Sequence, residues 1–318
     1  MGVAEGHKAY LGFGKESTFG TAVSRTRFAR LVRGSDRFVP NFTWITSESI
    51  TGLHERTTGR KIGKKSYTGG FELEVEVETV PLIFEAALGS LSTSDVEAGV
   101  VYKHTITPST SLPSLTTEVY RGYDATNAFV YEGCKVTRAT LTCGLDSFLR
   151  LSVDMIAEDE NRTSKSSPTF STSTYMEFTQ GSLTWGGSAP ADVISGMSIE
   201  IGNEFALRHG VGSALTKDPG RTPAVIRGEI TAEFDSTSLY DDFKNATTRT
   251  LIMEFTGDSI GSSSNEKITI TIKNAIFETD EITVDDESPV VQRIPFIGQY
   301  DGTNDIVKIE VTNEVASY

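Results

Sequence analysis

Residues 69–89, GGFELEVEVETVPLIFEAALG, change from a strand pattern to a helix pattern within one segment. Apolar and acidic residues alternate along its first part, the apolar ones being Phe71, Leu73, Val75 and Val77 and the acidic ones Glu72, Glu74, Glu76 and Glu78. Because strand side chains point alternately to opposite faces, this pattern predicts a half-buried strand. A helix is then predicted, with Thr79 as its cap, Pro81 in its first turn and Gly89 at its end.

The same change of pattern returns at residues 228–246, GEITAEFDSTSLYDDFKNA. The apolar residues Ile230, Ala232 and Phe234 alternate here with Glu229, Thr231, Glu233 and Asp235. Leu239 and Phe243 follow at helical spacing. Gly69 and Gly228 lie 159 positions apart, half of the 318-residue chain. We interpret the chain as a tandem duplication.

A chain of this length has room for about two domains. We predict a first domain at 1–160, a polar linker without periodicity at 161–174, and a second domain at 175–318. Further strands are predicted from alternating patterns at 36–45, within 101–123, and at 130–141, 148–156, 176–185, 197–201, 251–255, 267–277, 290–297 and 306–311. Residues 90–99 are predicted to form a loop. The predicted fold class is mainly β, with one helix in each half.

Composition and charge narrow the functional classes. The formal net charge is −14, so we do not expect the chain to bind a phosphate backbone by counterion release. No apolar run reaches the roughly 20 residues that a membrane helix needs, and no membrane partner is predicted. The start, MGVAEGHKAYLGFG, has no signal-peptide core, so we expect the chain to remain where it is made. Cys134 and Cys143 are predicted to be free thiols on opposite faces of one strand.

The sequence contains no constellation that predicts catalysis. The four histidines lack metal-ligand spacing, and nucleophile-elbow, zinc-protease and dinucleotide-binding motifs are missing. The GFGKES segment at 12–17 lacks the residue order of a phosphate-binding loop. We therefore predict a protein that is not an enzyme and has no cofactor or metal.

Two long polar segments, 46–66 and 203–223, each precede a strand–helix unit. We predict that both are loops, and loops of this length are usually functional or mobile. Their basic residues are Arg56, Arg60, Lys61, Lys64 and Lys65 in the first and Arg208, Lys217 and Arg221 in the second.

The two strand–helix units, each after a long loop and before alternating strands, resemble the tail tube proteins of long-tailed bacteriophages. The segment FGKESTFGTA at 13–22 and the Lys273-Asn274-Ala275 segment add to the resemblance. The resemblance implies two tandem tail-tube domains, each a β-sandwich or barrel with one flanking helix. It implies that three two-domain chains form a pseudo-hexameric ring and that rings stack into a tube conducting DNA. It also implies a virion tail protein assembled in the host cytoplasm.

On this interpretation, phage DNA passes through the tube without specific binding. The implied partners are further copies of the chain and other tail proteins, namely the tape measure, the tail terminator and the distal tail protein. The candidates for the channel lining are Glu72, Glu74, Glu76, Glu229, Glu233 and Asp235. The basic residues of the two loops are the candidates for contacts between stacked rings.

Simpler explanations exist for both the acidic channel candidates and the basic loop candidates. The acids could lie on a solvated outer face or pair with Lys and Arg of adjacent strands, and the basic loop could simply be solvated. A competing class is a soluble double β-sandwich that binds carbohydrate or protein. Such a module should display aromatic platforms, whereas we predict that Trp44 and Trp185, the only two tryptophans, pack in the core.

Overall fold

The computed structural model describes residues 5–50, 52, 59–124, 126–283 and 289–318. Within these ranges the chain forms twenty β-strands, two α-helices and two single turns of 3₁₀ helix at Gly6–Lys8 and Phe178–Gln180. Every strand pairing in the described part of the chain is antiparallel. The prediction of a mainly β fold is confirmed.

The first half contains ten of these strands and the longer helix. In chain order they are β1 (Tyr10–Lys15), β2 (Arg27–Ala29), β3 (Val39–Thr46), β4 (Arg60–Glu74), α1 (Val80–Leu88), β5 (Gly89–Glu97), β6 (Val101–Pro108), β7 (Leu115–Tyr120), β8 (Asn127–Gly144), β9 (Arg150–Ala157) and β10 (Asp159–Ser164).

The second half contains the other ten strands and the shorter helix. In chain order they are β11 (Gly181–Trp185), β12 (Ile194–Gly202), β13 (Phe205–Arg208), β14 (Lys217–Arg221), β15 (Val225–Glu233), α2 (Ser238–Lys244), β16 (Arg249–Ile260), β17 (Ser264–Phe277), β18 (Glu281–Thr283), β19 (Val291–Gly298) and β20 (Lys308–Asn313).

The first half contains a strand followed by a helix, as predicted, although β4 ends at Glu74 and the Thr79 side chain makes no capping hydrogen bond. Phe71 and Leu73 of β4 are buried in the core, and α1 follows with Pro81 in its first turn. Gly89 ends the helix at φ 110°, a left-handed conformation that glycine adopts without steric cost. All nine residues of α1 are buried because the helix packs against β6 and β8. Its counterpart α2 packs against β17 and buries Leu239, with Phe243 partly buried against the core.

Six strand pairings of the first half have counterparts in the second half, in the same chain order. These are β1·β7 with β11·β16, β3·β4 with β12·β15, β4·β9 with β15·β19, β7·β8 with β16·β17, β8·β9 with β17·β19, and β8·β10 with β17·β20. The helix follows the equivalent strand each time, β4 or β15.

The registers recur as well as the pairings. Gly69 lies opposite Met155 in β4·β9, and Gly228 lies opposite Phe296 in β15·β19. Met155 in turn lies opposite Val136 of β8, as Phe296 lies opposite Phe277 of β17.

Even one irregularity of the ladder recurs. In β7·β8, Leu115 and Thr117 lie opposite Cys134 and Tyr131, so β8 carries one extra residue. In β16·β17, Arg249 and Leu251 lie opposite Ala275 and Ile272, again with one extra residue on the longer strand. Such bulges are specific features of a strand pair.

Two pairings join the halves. Residues Arg138–Gly144 of β8 pair with Gly196–Gly202 of β12, which we call the internal junction. The last strand, β20, lies between β17 of its own half and β6 of the first half. Asn313 at its end donates to the carbonyl of Val77 at 2.7 Å. The two halves therefore share continuous hydrogen-bonded sheet.

A carboxylate adds a third link between the halves. Glu97, at the end of β5, accepts hydrogen bonds from the N–H groups of Ser262 and Ser263 and from the hydroxyls of Ser262–Ser264. The bonds from Ser264 and Ser262 hold the pKa of Glu97 well below its usual range. The charged form of Glu97 is therefore the one that fits the turn between β16 and β17.

Four segments differ from the predictions. Residues predicted as a loop at 90–99 form most of β5, a strand of small polar residues that shows no apolar alternation. The predicted loop 46–66 includes the start of β4, and the predicted loop 203–223 contains β13 and β14. β10 includes the first four residues of the predicted linker 161–174. In each case the strand lies outside the core, so no periodic apolar residues mark it.

The two cysteines are free, as predicted, but both are buried. A straight strand would place them on opposite faces because they are nine positions apart. β8 has a register shift between Val136 and Arg138, and the buried positions change from 134 and 136 to 139, 141 and 143. The bulge at Thr137 therefore brings both thiols to the core side.

The equivalent glycines Gly69 and Gly228 give the first prediction. A Cβ at Gly69 would lie 2.4 Å from the Cα of Phe38, and one at Gly228 would lie 2.2 Å from the carbonyl oxygen of Ser198. We expect Gly69→Ala and Gly228→Ala each to lower the free energy of unfolding by about 1–3 kcal/mol, because backbone must move. Denaturant unfolding of each variant measures the effect.

Gly220→Ala is the matched control, since a Cβ there meets no atom within 4 Å and we expect a change of about 0.5 kcal/mol or less. If both buried variants unfold like the parent protein, close strand approach does not explain these glycines.

Candidate assembly surfaces

The hairpin of β3 and the first part of β4 projects beyond the core and is called the first arm. Its strands pair from Val39 opposite Thr68 to Thr46 opposite Arg60, with one register shift between Phe42 and Trp44. Four large apolar side chains of its strands are exposed: Val39 and Trp44 by 50% each, Ile45 by 64% and Ile62 by 43%. The prediction that Trp44 packs in the core is wrong. Exposed apolar clusters of this kind mark interaction surfaces.

The hairpin of β13 and β14, with the residues between them, is called the second arm. Leu207 and Val211 are its exposed large apolar residues. The two arms touch: the N–H of Lys65 donates to the carbonyl of Ala214 at 2.9 Å, and the Thr216 hydroxyl donates to the Lys65 carbonyl. The two predicted loops are therefore neighbouring hairpins of one chain.

The basic candidates of the arms have different environments. Lys61, Lys64, Arg208 and Lys217 are exposed. The Arg60 guanidinium lies 4.2 Å from the centre of the Trp44 ring, and Lys65 is half-buried near Phe42. Arg56 lies outside the described residues.

Arg221 differs from the other basic candidates. Its guanidinium donates to the carbonyl of Ser109 at 2.5 Å and to Asn203 at 3.0 Å. Burial lowers its pKa from the usual value. Arg221 is thus engaged within its own chain, where it joins the base of the second arm to the first half.

The second surface is one face of a continuous sheet, called the junction sheet, whose strands pair in the order β4, β9, β8, β12, β15 and β19. One face is apolar and lies on the core, with residues such as Leu73, Leu151, Leu141, Ile199, Ile230 and Ile294. The opposite face is polar, and its charged residues are Glu72, Glu74, Arg150, Asp154, Arg138, Glu200, Arg227, Glu229, Glu233 and Arg293.

Ion pairs cross the strands of this face. Arg37 lies 3.3 Å from Glu72 and 2.9 Å from Asp154. Arg138 lies 2.7 Å from the other oxygen of Asp154 and 4.0 Å from Glu200. The face is therefore mixed in charge. One alternative left open by the sequence, that the acids pair with basic residues of adjacent strands, applies to Glu72.

The channel candidates separate into three groups. Glu72, Glu74 and Glu233 are half-buried on the polar face, and Glu229 is exposed on it. Asp235 is exposed beyond the end of β15.

Glu76 forms the third group. The predicted alternation is wrong at this residue, because β4 ends at Glu74 and the chain then turns toward α1. Its side chain is only 4% exposed, 3.6 Å from Arg30.

Two buried carboxylates have perturbed titration. Burial raises the pKa of Glu76 to about 7, partly opposed by Arg30. Burial also raises the pKa of Glu266 to about 7, with further increases from the charges of Asp258, Glu78 and Glu314. Neither shift could be predicted from the sequence, since both depend on how the C-terminal strand and α1 close the core.

The arginines of the polar face are functional candidates that the sequence reasoning missed. Arg138, Arg227 and Arg293 each stand next to one buried apolar residue of their strands, Ala139, Ile226 and Ile294. The same alternation that identified the glutamates could have identified them. The charge of the face was predicted from one strand in each half and not from the strands beside it.

The titration of Glu266 gives the second prediction. Between pH 4.5 and about 7 the folded state holds a proton that the unfolded chain has lost, so stability falls as pH rises. We expect Glu266→Gln to raise the free energy of unfolding at pH 8 by about 1–3 kcal/mol, and the gain to vanish near pH 4.5. Denaturant unfolding across this pH range measures it.

Glu229→Gln, on the exposed polar face, is the control and should change stability by about 0.5 kcal/mol or less. A gain for Glu266→Gln that is the same at pH 4.5 and pH 8 would contradict the assigned titration.

In the described part of the chain, neither helix has the length and apolar character to cross a bilayer, and no group of three or more His, Cys, Asp or Glu residues could hold a metal ion. The chain matches no curated protein. A family model described as "Phage tail tube protein" matches residues 6–298, which cover nearly all of the β fold. The chain belongs to the phage tail tube protein family.

Proposed function

We propose that this tail tube protein polymerises as stacked rings into the hollow tail of a long-tailed phage, which conducts DNA into the host. Each ring contains three chains, and each chain supplies two equivalent β domains. The observation that carries this proposal is the recurrence of six strand pairings, their registers and one bulge in the two halves. The recurrence supports a duplicated chain with domains at 1–160 and 175–318.

The proposed pseudo-hexameric count combines the three chains per ring that the family resemblance implies with the two units of each chain. Three chains with two equivalent units each give six units around one axis. A closed ring of equivalent units leaves no edge strand exposed to aggregation.

The polar face of the junction sheet is the proposed channel wall. Glu72, Glu74, Glu229 and Glu233 share this face with arginines, and two arginines, Arg37 and Arg138, are already held by carboxylates. A cation engaged by a protein carboxylate gains less from a passing phosphate than a free one. At Arg37 and Arg138 the proposed wall therefore holds DNA less strongly than free cations would, and Asp235 would lie at its rim.

The two arms are the proposed contacts between stacked rings. They combine exposed apolar residues with exposed lysines and arginines, and the chain as a whole is acidic. Interfaces typically have an apolar centre and a polar rim. At the ends of the tube the same surfaces would meet the distal tail protein and the tail terminator, while the lumen would hold the tape measure. Assembly takes place in the host cytoplasm, and the finished protein belongs to the virion tail.

Electron microscopy of the purified chain at high concentration tests the function. We expect hollow tubes or stacked rings with an axial lumen, because both the ring and the stacking surfaces belong to one chain. Particles that stay monomeric at all concentrations would contradict the proposal and favour a soluble binding module.

The arm residues give a separate prediction. We expect the triple variant Trp44→Ser, Ile45→Ser, Ile62→Thr to fold and to form at most isolated rings, since three exposed apolar contacts are lost. Light scattering and microscopy distinguish rings from tubes. Leu145→Ser, which changes an exposed leucine in the turn between β8 and β9, is the control and should leave stacking unchanged. Tubes of normal length from the triple variant would remove the arms from the stacking interface.

A further inference from the structure

The internal junction has a definite register. Thr140 of β8 lies opposite Glu200 of β12, and Leu141 lies opposite Ile199. Both Leu141 and Ile199 are 3% exposed, because each strand covers the other at the core side of the sheet. The junction thus combines a backbone ladder with a buried apolar pair.

In the second half, β18 occupies the place that the end of β8 occupies in the first. Glu281 and Ile282 lie opposite Arg293 and Gln292 of β19. Thr140 and Leu141 lie opposite Ser152 and Leu151 of β9. The pairs β8·β9 and β17·β19 have equivalent registers at Val136 and Phe277. Ile282 follows Phe277 at the same spacing at which Leu141 follows Val136, so Ile282 is the equivalent of Leu141.

The outer edge of β18 differs from that of β8 in one respect. β8 carries β12 on its outer edge, whereas β18 pairs only with β19 among the described strands. Ile282 is consequently 37% exposed, although its equivalent Leu141 is 3% exposed.

In the first half, the stretch 37–40 occupies the place of 198–201 in β12. The N–H of Arg37 donates to the carbonyl of Gly70, and Val39 lies opposite Thr68. In the second half, Ser198 lies opposite Glu229 and Glu200 lies opposite Arg227. Glu229 and Arg227 come 159 residues after Gly70 and Thr68, so the two stretches occupy equivalent places.

The outer edge of this stretch is also uncovered. In the part of the chain that the structure describes, β3 pairs only with β4, and Val39 is 50% exposed. Pro40 has no N–H, as is common on edge strands, so a ladder formed here would end at this residue.

Resting on the proposed ring, we propose that these two edges pair with each other between copies of this chain. β18 of one copy lies antiparallel to residues 37–40 of the next, with Glu281 opposite Val39 and Ile282 opposite Phe38. This is the register of the internal junction, transferred from Thr140–Glu200 and Leu141–Ile199.

The strand that pairs with each edge belongs to a second copy of this chain. One chain carries both complementary edges, residues 37–40 in its first half and β18 in its second half. Such a contact is heterologous, and it closes into a ring when its rotation matches the symmetry. The internal junction already sets that rotation between two equivalent units. A closed ring then alternates internal junctions with copies of the same junction between chains.

Cysteine cross-linking tests the register. The variant Val39→Cys, Glu281→Cys places two thiols in a directly opposed pair across the proposed contact. Thr140→Cys, Glu200→Cys is the positive control, because it makes the equivalent pair inside one chain. Asn41→Cys, Glu281→Cys is the off-register control, two residues away. The native Cys134 and Cys143 are buried and contribute little background.

Under oxidation of the assembled protein, we expect the Val39, Glu281 variant to give covalent multimers ending at a closed ring of three. The yield should exceed that of the off-register variant by roughly tenfold, since cross-strand neighbours two residues off are ~7–8 Å apart. The Thr140, Glu200 variant should form a disulfide within single chains.

The other outcomes separate the inference from the proposed function. In one outcome, tubes form normally and the Thr140, Glu200 control cross-links, but the Val39, Glu281 variant gives no covalent multimers. That result would overturn this register and leave the proposed tube unaffected. Equal yields from the two Glu281 variants would also overturn it. If neither tubes nor covalent multimers form at any concentration, the proposed function fails and the inference fails with it.

Discussion

The backbone ladder between β8 and β12 is the interaction on which the rest of the structure depends. Its seven register pairs join two halves that would otherwise each expose a sheet edge. β8 can serve both halves because it is eighteen residues long and changes face at its bulge near Thr137. The insertion of β20 beside β6 and the bonds of Glu97 to the serine turn add further links between the halves. These contacts place the polar face and both arms in fixed relation within one chain.

The fold could be predicted from the sequence where one face of a strand is buried. Phe71, Leu73 and Ile230 alternate with polar residues because their strands lie on the core, and Gly89 marks the end of α1 because only glycine adopts its conformation freely. β5, the start of β4 and the strands of the second arm could not be predicted, since strands that project from the core need no apolar face. The burial of Glu76 was missed because β4 ends two residues before it, a boundary that alternation alone does not show.

The candidate surfaces were predicted only in part for the same reason. The acids of β4 and β15 were visible in the sequence, but Arg37 reaches Glu72 and Asp154, and Arg138 reaches Asp154, across neighbouring segments of the sheet. Such cross-strand pairs depend on register, which a single sequence does not give. Trp44 illustrates the opposite error: its strand context is typical of a core residue, yet its strand belongs to an arm. For the proposed channel wall, these contacts favour acids partly paired with arginines over a purely negative surface.

The central claim is that one chain carries two equivalent units joined by a junction that can be repeated around a ring. The number of chains in a ring tests it most directly, by cryo-electron microscopy of the tube with the symmetry determined from the images. The account predicts threefold symmetry with three chains per ring, six similar β domains, and the two halves of each chain at alternating, near-equivalent positions. A ring of six chains, or halves that occupy different radii from the axis, would contradict it.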